Sequence, residues 1–183
     1  MELDVDAMMK DHVVGKADAP VTIIEYACMT CPHCAHFDTE VLPEIKKRLI
    51  DTGKAKLIYR DFPFDNYGLK AAMMARCITD DKKYYSLVEV IFSNQARWIK
   101  ADDPLQSLAQ LGALAGIDAD RFKTCTQDHK LETAILNGFQ KAQTEYHVQS
   151  TPTFIFNEGA EQFSGAENAD KFEEIVNKLT KGK

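Results

Sequence analysis

Two cysteines three residues apart, Cys31 and Cys34, are the residues of this chain best suited to chemistry, and Pro32 and His33 lie between them. The β-branched run Val21-Thr22-Ile23-Ile24 precedes them and a segment of helical apolar spacing follows, so the pair is set at a strand-to-helix junction. Proline is favoured at the first helical position, where its missing N–H would be unpaired in any case, which makes Cys31 the N-cap. An N-cap side chain faces the backbone N–H groups two and three residues on, here those of His33 and Cys34. Those donors, the positive helix end and an imidazolium at His33 all favour thiolate, and a strongly depressed pKa at Cys31 is the expectation. Counting on from Cys34, Phe37, Val41, Ile45 and Leu49 recur at helical spacing, which puts Cys34 at the top of a buried stripe. One presented sulfur and one sheltered sulfur suit thiol–disulfide exchange. Residues three apart on a helix have Cβ atoms about 5–6 Å apart, whereas a disulfide wants about 3.5–4.5 Å, so the ring closes only because Cys31 is not fully helical. The strain of so small a ring adds to thiolate stabilisation in making the disulfide easy to reduce.

Other chemistries for these cysteines fit less well. Cys28, Cys31 and Cys34 open a ferredoxin-type motif, but the fourth ligand position is Asp38. Attachment of c-type haem needs His after the second Cys, and Ala35 stands there. Zinc held with His33 or His36 remains an alternative, without a second ligand pair at finger spacing. The 183 residues suffice for one domain with a sizeable core, or a small domain carrying a large insertion. Net charge is -6 and no Lys/Arg cluster interleaves with aromatics, which argues against a nucleic-acid partner. No apolar run approaches the roughly 20 residues of a membrane span, and no signal peptide is visible. Met1-Glu2-Leu3-Asp4 reads like a mature sequence given a new initiator.

Cys31-Pro32-His33-Cys34 after a strand resembles the active site of the DsbA family of thioredoxin-fold oxidants. Arg60-Asp61-Phe62-Pro63 resembles the segment after that family's second strand, and Thr151-Pro152, opening the apolar run Thr153-Phe154-Ile155-Phe156, resembles its cis-proline motif. The resemblance implies that Pro152 is cis and faces the redox pair, leaving the backbone of Thr151 to pair with an extended substrate; an ordinary trans proline at a strand start is the alternative. It also implies that Glu25, six residues before Cys31, is a buried proton acceptor for the inner cysteine, against a strand Glu turned to solvent or paired with Lys. Unfolded, cysteine-containing secreted polypeptides as substrates, a periplasmic location, reoxidation by a DsbB-like membrane quinone oxidoreductase, a monomeric state and no bound cofactor follow from the same resemblance. Five cysteines leave one unpaired if the others bridge. A structural disulfide between Cys77 and Cys125, each in a predicted helix, is expected, with two buried thiols as the alternative. Cys28 reads as a small buried residue, or as a third thiol able to exchange with Cys31.

The elements that position these residues are legible in outline. A helix runs from Pro32 to about Asp51 and kinks at Pro43; strands are predicted over 21–26, 55–59 and 161–164, and strand chemistry returns over 148–156. Helical stripes comprise Tyr84, Leu87, Val88 and Ile91; Leu105, Leu108, Leu111 and Ala115 behind the cap Asp103; and Leu131, Ile135, Phe139, Ala142 and Tyr146. Gly116-Ile117-Asp118 separates two of these helices, and a last helix capped near Asn168 buries Phe172, Ile175, Val176 and Leu179. The expected fold is α/β and thioredoxin-like, with residues 13–65 and 146–183 forming a discontinuous domain, 66–145 an all-helical insertion, and 1–12 a loose arm or short helix. The function expected is donation of the Cys31–Cys34 disulfide to reduced polypeptides. The alternatives are an isomerase or reductase, whose usual dimerisation domain is missing here, and a non-enzymatic metal- or peptide-binding module.

Overall fold

The computed structural model describes residues 2–181. The reading of Met1 as an added initiator, and the last two positions of the 146–183 segment, lie outside the described residues. Five strands, β1 (Val13–Val14), β2 (Val21–Ala27), β3 (Ala55–Asp61), β4 (Thr153–Phe156) and β5 (Glu161–Ser164), form one sheet in the order β1-β3-β2-β4-β5. β2 is central, parallel to β3 and antiparallel to β4, with Glu25 set between Tyr59 and Phe154. Its near-continuous apolar run reflects cover on both faces. On one face Val21 and Ile23 pack with Phe37, Leu42, Ile45, Leu49, Phe172 and Val176; on the other, Ile24, Tyr26 and Ile58 pack with Ala142.

Residues 32–50 form one helical rod in which α2 (Pro32–His36) and α3 (Leu42–Ile45) alternate with π-helical turns at Phe37–Val41 and Lys46–Ile50. The disturbance expected at Pro43 takes this form: Pro43 has no N–H for the carbonyl one turn back, and the wider turn before it absorbs the missing bond. Between β3 and β4 lie α4 (Asn66–Arg76), α5 (Asp81–Ser93), α6 (Gln95–Ile99), α7 (Pro104–Leu114), α8 (Ala119–Thr126) and α9 (His129–Tyr146), and after β5 comes α10 (Ala169–Thr180). Asp65, Asp80, Asp103, Asp118 and Asp128 cap five of these helices, each accepting a backbone N–H three residues on. The apolar stripes of α4, α5 and α9 meet in one core with Trp98, and that core takes in Cys34 of α2 and continues into the sheet through Ala27 and Tyr59.

Of the two forms expected for the N-terminal segment, the short helix is the one present: α1 (Val5–Met8) is capped by Asp4, Leu3 and Met8 join the helical core, and Arg60 holds Asp11 through two hydrogen bonds of 3.0 and 2.8 Å. Two features depart from the sequence reading. β1 pairs Val13 with Ile58 and Val14 with Leu57, and at two residues it is too short to show a period of its own. β3 runs on to Asp61 because that carboxylate meets the buried Arg76 guanidinium at 2.9 Å, whose other nitrogens donate to the carbonyls of Lys10 and Tyr59. Cys77, at the end of α4, and Cys125, in α8, are joined as a disulfide with Cα atoms 6.2 Å apart.

Candidate active site

The site is built where β2 gives way to α2. Cys31 is the N-cap, extended at φ -80° and ψ 119°, and Pro32 opens the helix. Its N–H donates to the Cys28 carbonyl at 3.0 Å, closing a turn, and its own carbonyl accepts the N–H groups of Cys34 and Ala35, each at 3.1 Å. Cys31 is half-buried, Cys34 is fully buried at 0% exposure, and both stand as thiols. Pro32 and His33 are exposed. The Thr151–Pro152 peptide is cis, and the Cys31 thiol lies 3.5 Å from the Thr151 carbonyl, to which it donates. Residues far apart in the chain thus face each other across the redox pair.

The two sulfurs differ sharply. The Cys31 thiol is pulled down to about 5, chiefly because the Cys34 side chain donates to the thiolate; burial opposes this, and the Thr151 side chain and the N–H groups of Cys34 and His33 assist. The cap hydrogen bond expected at the Cys31 sulfur is not formed. The backbone therefore contributes less than the neighbouring thiol. Burial pushes Cys34 the other way, far above the ordinary thiol range, helped by its bond to Cys31 and by the charges of Glu25 and Cys31.

Glu25 is 1% exposed, and its Oε2 has no hydrogen-bond partner within the protein. A solvent-facing or Lys-paired Glu25 is thereby ruled out. Burial, then the charges of Asp38 and Cys31, raise its carboxyl well above the usual range. Asp38, one turn beyond Cys34, is half-buried, and desolvation raises it to about 7. Sequence reasoning weighed Asp38 only as an absent cluster ligand; its i+4 position from Cys34 was the available signal. Gln95 was missed altogether. From the first residue of α6 its amide donates to the Met29 carbonyl at 2.9 Å and to the Cys31 carbonyl at 3.0 Å, and a lone Gln carries no sequence signal of that.

Cys28 is buried and hydrogen-bonded to the Thr30 hydroxyl at 3.1 Å, which in turn donates to Asp65 at 2.8 Å. A Cβ on Gly68 would stand 2.8 Å from its sulfur, so α4 approaches closely here only because position 68 lacks a side chain. Burial raises the Cys28 thiol, which fits a small packed residue better than an exchanging one. Among the described residues no group of three His, Cys, Asp or Glu side chains is arranged to hold a metal ion.

A family model described as thioredoxin matches residues 8–178. A Rickettsia conorii protein bearing the name protein-disulfide oxidoreductase is 31% identical over 80% of this chain and 53% of its own length. A Bacillus cereus protein named disulfide bond formation protein D is 30% identical over 79% of this chain and 68% of its own. The crystal structure of alpha-DsbA1 from Wolbachia pipientis superposes with a TM-score of 0.84 at 31% identity, covering 93% of this chain and 91% of that one. The chain spans about half the length of the Rickettsia relatives it matches. With the match running through sheet, helical segment and redox junction together, the chain belongs to the DsbA family of thioredoxin-fold thiol-disulfide oxidoreductases.

Proposed function

We propose that the protein is a disulfide donor, passing the Cys31–Cys34 disulfide to reduced cysteines of unfolded, secreted polypeptides. The observation that carries this reading is the opposed state of the two sulfurs, one accessible and acidic, the other enclosed and weakly acidic. In the oxidised protein a substrate thiolate attacks the Cys31 sulfur, a mixed disulfide forms, and the Cys34 sulfur leaves with the electron pair of the broken bond. Because Cys34 is stable only as a thiol, it takes up a proton, and Glu25, held protonated by burial and near enough for its charge to act on Cys34, is the donor we assign. A second substrate thiolate then attacks the substrate sulfur of the mixed disulfide. Cys31 leaves as a thiolate, a good leaving group because its charge is stabilised. Two electrons have passed from substrate to protein, and a quinone-linked, DsbB-like membrane partner would remove them. Thr151, beside cis-Pro152 and facing Cys31, supplies the backbone against which an extended substrate aligns. The family resemblance supports a periplasmic setting.

The deciding experiment is the equilibrium of the Cys31–Cys34 pair with glutathione, read by mass spectrometry of trapped thiols. A potential around -120 mV, at the oxidising end of the thiol–disulfide scale, is the expected result. A value near -270 mV would make the protein a reductant and overturn the reading.

A further inference from the structure

Gln95 lies more than 60 residues from the redox pair in sequence, yet it is the only side chain from α5, α6 or α7 with a hydrogen bond to the 28–34 segment among the described residues. Its side chain is enclosed, 8% exposed, and both acceptors are carbonyls of the turn that delivers Cys31. The Cys31 carbonyl already accepts two N–H groups from the first turn of α2, so the Gln95 amide is its third donor. Bridging the carbonyls of Met29 and Cys31 pins the residue between them, Thr30, and with it the extended backbone that points the Cys31 sulfur at Cys34 and Thr151. Without the amide, two carbonyls at a buried junction would lose their only side-chain donor, and the turn would be free to reorient toward water.

We propose that Gln95 is a positioning residue for the redox pair: by clamping the Met29 and Cys31 carbonyls it fixes the orientation in which the Cys31 sulfur meets its donors, so the helical segment sets how oxidising the strand–helix junction is. This rests on the reading of Cys31 and Cys34 as the exchanging pair. The proposed effect follows from what stabilises the thiolate. The groups that lower the Cys31 thiol belong to Cys34, Thr151 and His33, and their pull falls off with distance and misalignment, so a turn that relaxes weakens them together. The amide contributes its own dipole as well, since its positive hydrogens lie against the residue that carries the negative sulfur.

The test uses Gln95→Leu, which removes the donors at similar volume, and Gln95→Glu, which keeps the shape but turns donors into acceptors. In both, the pH titration of the Cys31 thiolate, followed by its ultraviolet absorbance, is expected to move up by about one unit, a tenfold loss of thiolate stabilisation. The glutathione equilibrium should move by a similar factor toward the protein disulfide, and Gln95→Glu should shift at least as far as Gln95→Leu. If both variants fold, lose thermal stability and keep the wild-type thiolate midpoint and glutathione equilibrium, Gln95 merely ties α6 to the loop and the proposal is overturned. Loss of the fold in both would also overturn it, as the mark of a structural residue. Cys31→Ser, assayed in parallel, separates the two levels of the argument. Exchange surviving in Cys31→Ser would remove the underlying reading. Exchange lost there but unchanged in the Gln95 variants removes the positioning role alone.

Discussion

The acid–base asymmetry of the site gives each titrating residue a signature of its own. Cys31 is depressed from 9.0 to about 5, so the folded, reduced protein binds fewer protons there than the unfolded chain between those values. Stability of the reduced form therefore rises with pH across that window and is lost as pH falls through about 5. Denaturant unfolding of reduced and oxidised protein should show a difference that grows over the same range, and alkylation of Cys31 should reach half its maximal rate near pH 5. Glu25 has the opposite sign. Its folded pKa lies above the ordinary 4.5, so its burial favours the protonated form and the fold loses stability as pH rises beyond that point. Glu25→Gln should stabilise the protein at neutral pH, by on the order of 1–3 kcal/mol, because the fold no longer has to keep protonated a carboxyl that ionises freely in the unfolded chain. If Glu25 is the proton source proposed for Cys34, the same change should slow disulfide donation; faster or unaltered single-turnover exchange would exclude Glu25 from that role.

At the scale of elements, α4 and the β2–α2 junction meet through one missing side chain. Gly68→Ala would gain about 1 kcal/mol of helix propensity but set a Cβ 2.8 Å from the Cys28 sulfur and 3.2 Å from Asp65 and Thr30 side chains. Overpacking of this kind costs about 1–3 kcal/mol, so a net loss is expected, relieved when Cys28→Ala is made in the same chain. Additive effects of the two changes in urea unfolding would disprove the coupling. How far these elements could be read in advance depended on their length. The apolar stripes of α5 and α9 show their period over three or more turns, and capping by Asp103 and Asn168 follows from local chemistry. β1 has two residues and no period, and apolar spacing does not tell the π turn that absorbs the missing N–H of Pro43 from a simple kink. Within the site, local spacing exposed Cys31, Cys34 and Pro152. The amide of Gln95 and the carboxyl of Asp38 gain meaning only from partners brought to them by the fold.

For the whole molecule, the disulfide between Cys77 and Cys125 spans 48 residues and encloses α5, α6 and α7. Closing a loop of that size restricts the unfolded chain by about 4 kcal/mol at most. Replacing both cysteines by Ala should therefore lower unfolding free energy by roughly 2–4 kcal/mol while leaving the Cys31 titration where it is. A shift of that titration would mean that the loop, and not the single contact from α6, governs the redox junction. The helical core takes in Ala27 and Tyr59 of the sheet, so a cooperative loss of both is expected in thermal unfolding, followed through the near-ultraviolet signal of the enclosed Trp98 and the far-ultraviolet signal of the backbone.

The enclosure of Cys34 also sets a clock. A mixed disulfide on Cys31 can end in two ways, by return of Cys34 to the bond or by attack from the client's second cysteine. A thiol that is fully buried and reluctant to ionise returns slowly. On the proposed function, a tethered client would then have time for its own chain to bring another sulfur within reach. Polypeptides with a single accessible cysteine would stay on the protein as long-lived adducts, whereas those with a neighbouring partner would depart oxidised. Clients would thus be sorted by the waiting time of their next thiol, with little need for a surface that recognises them.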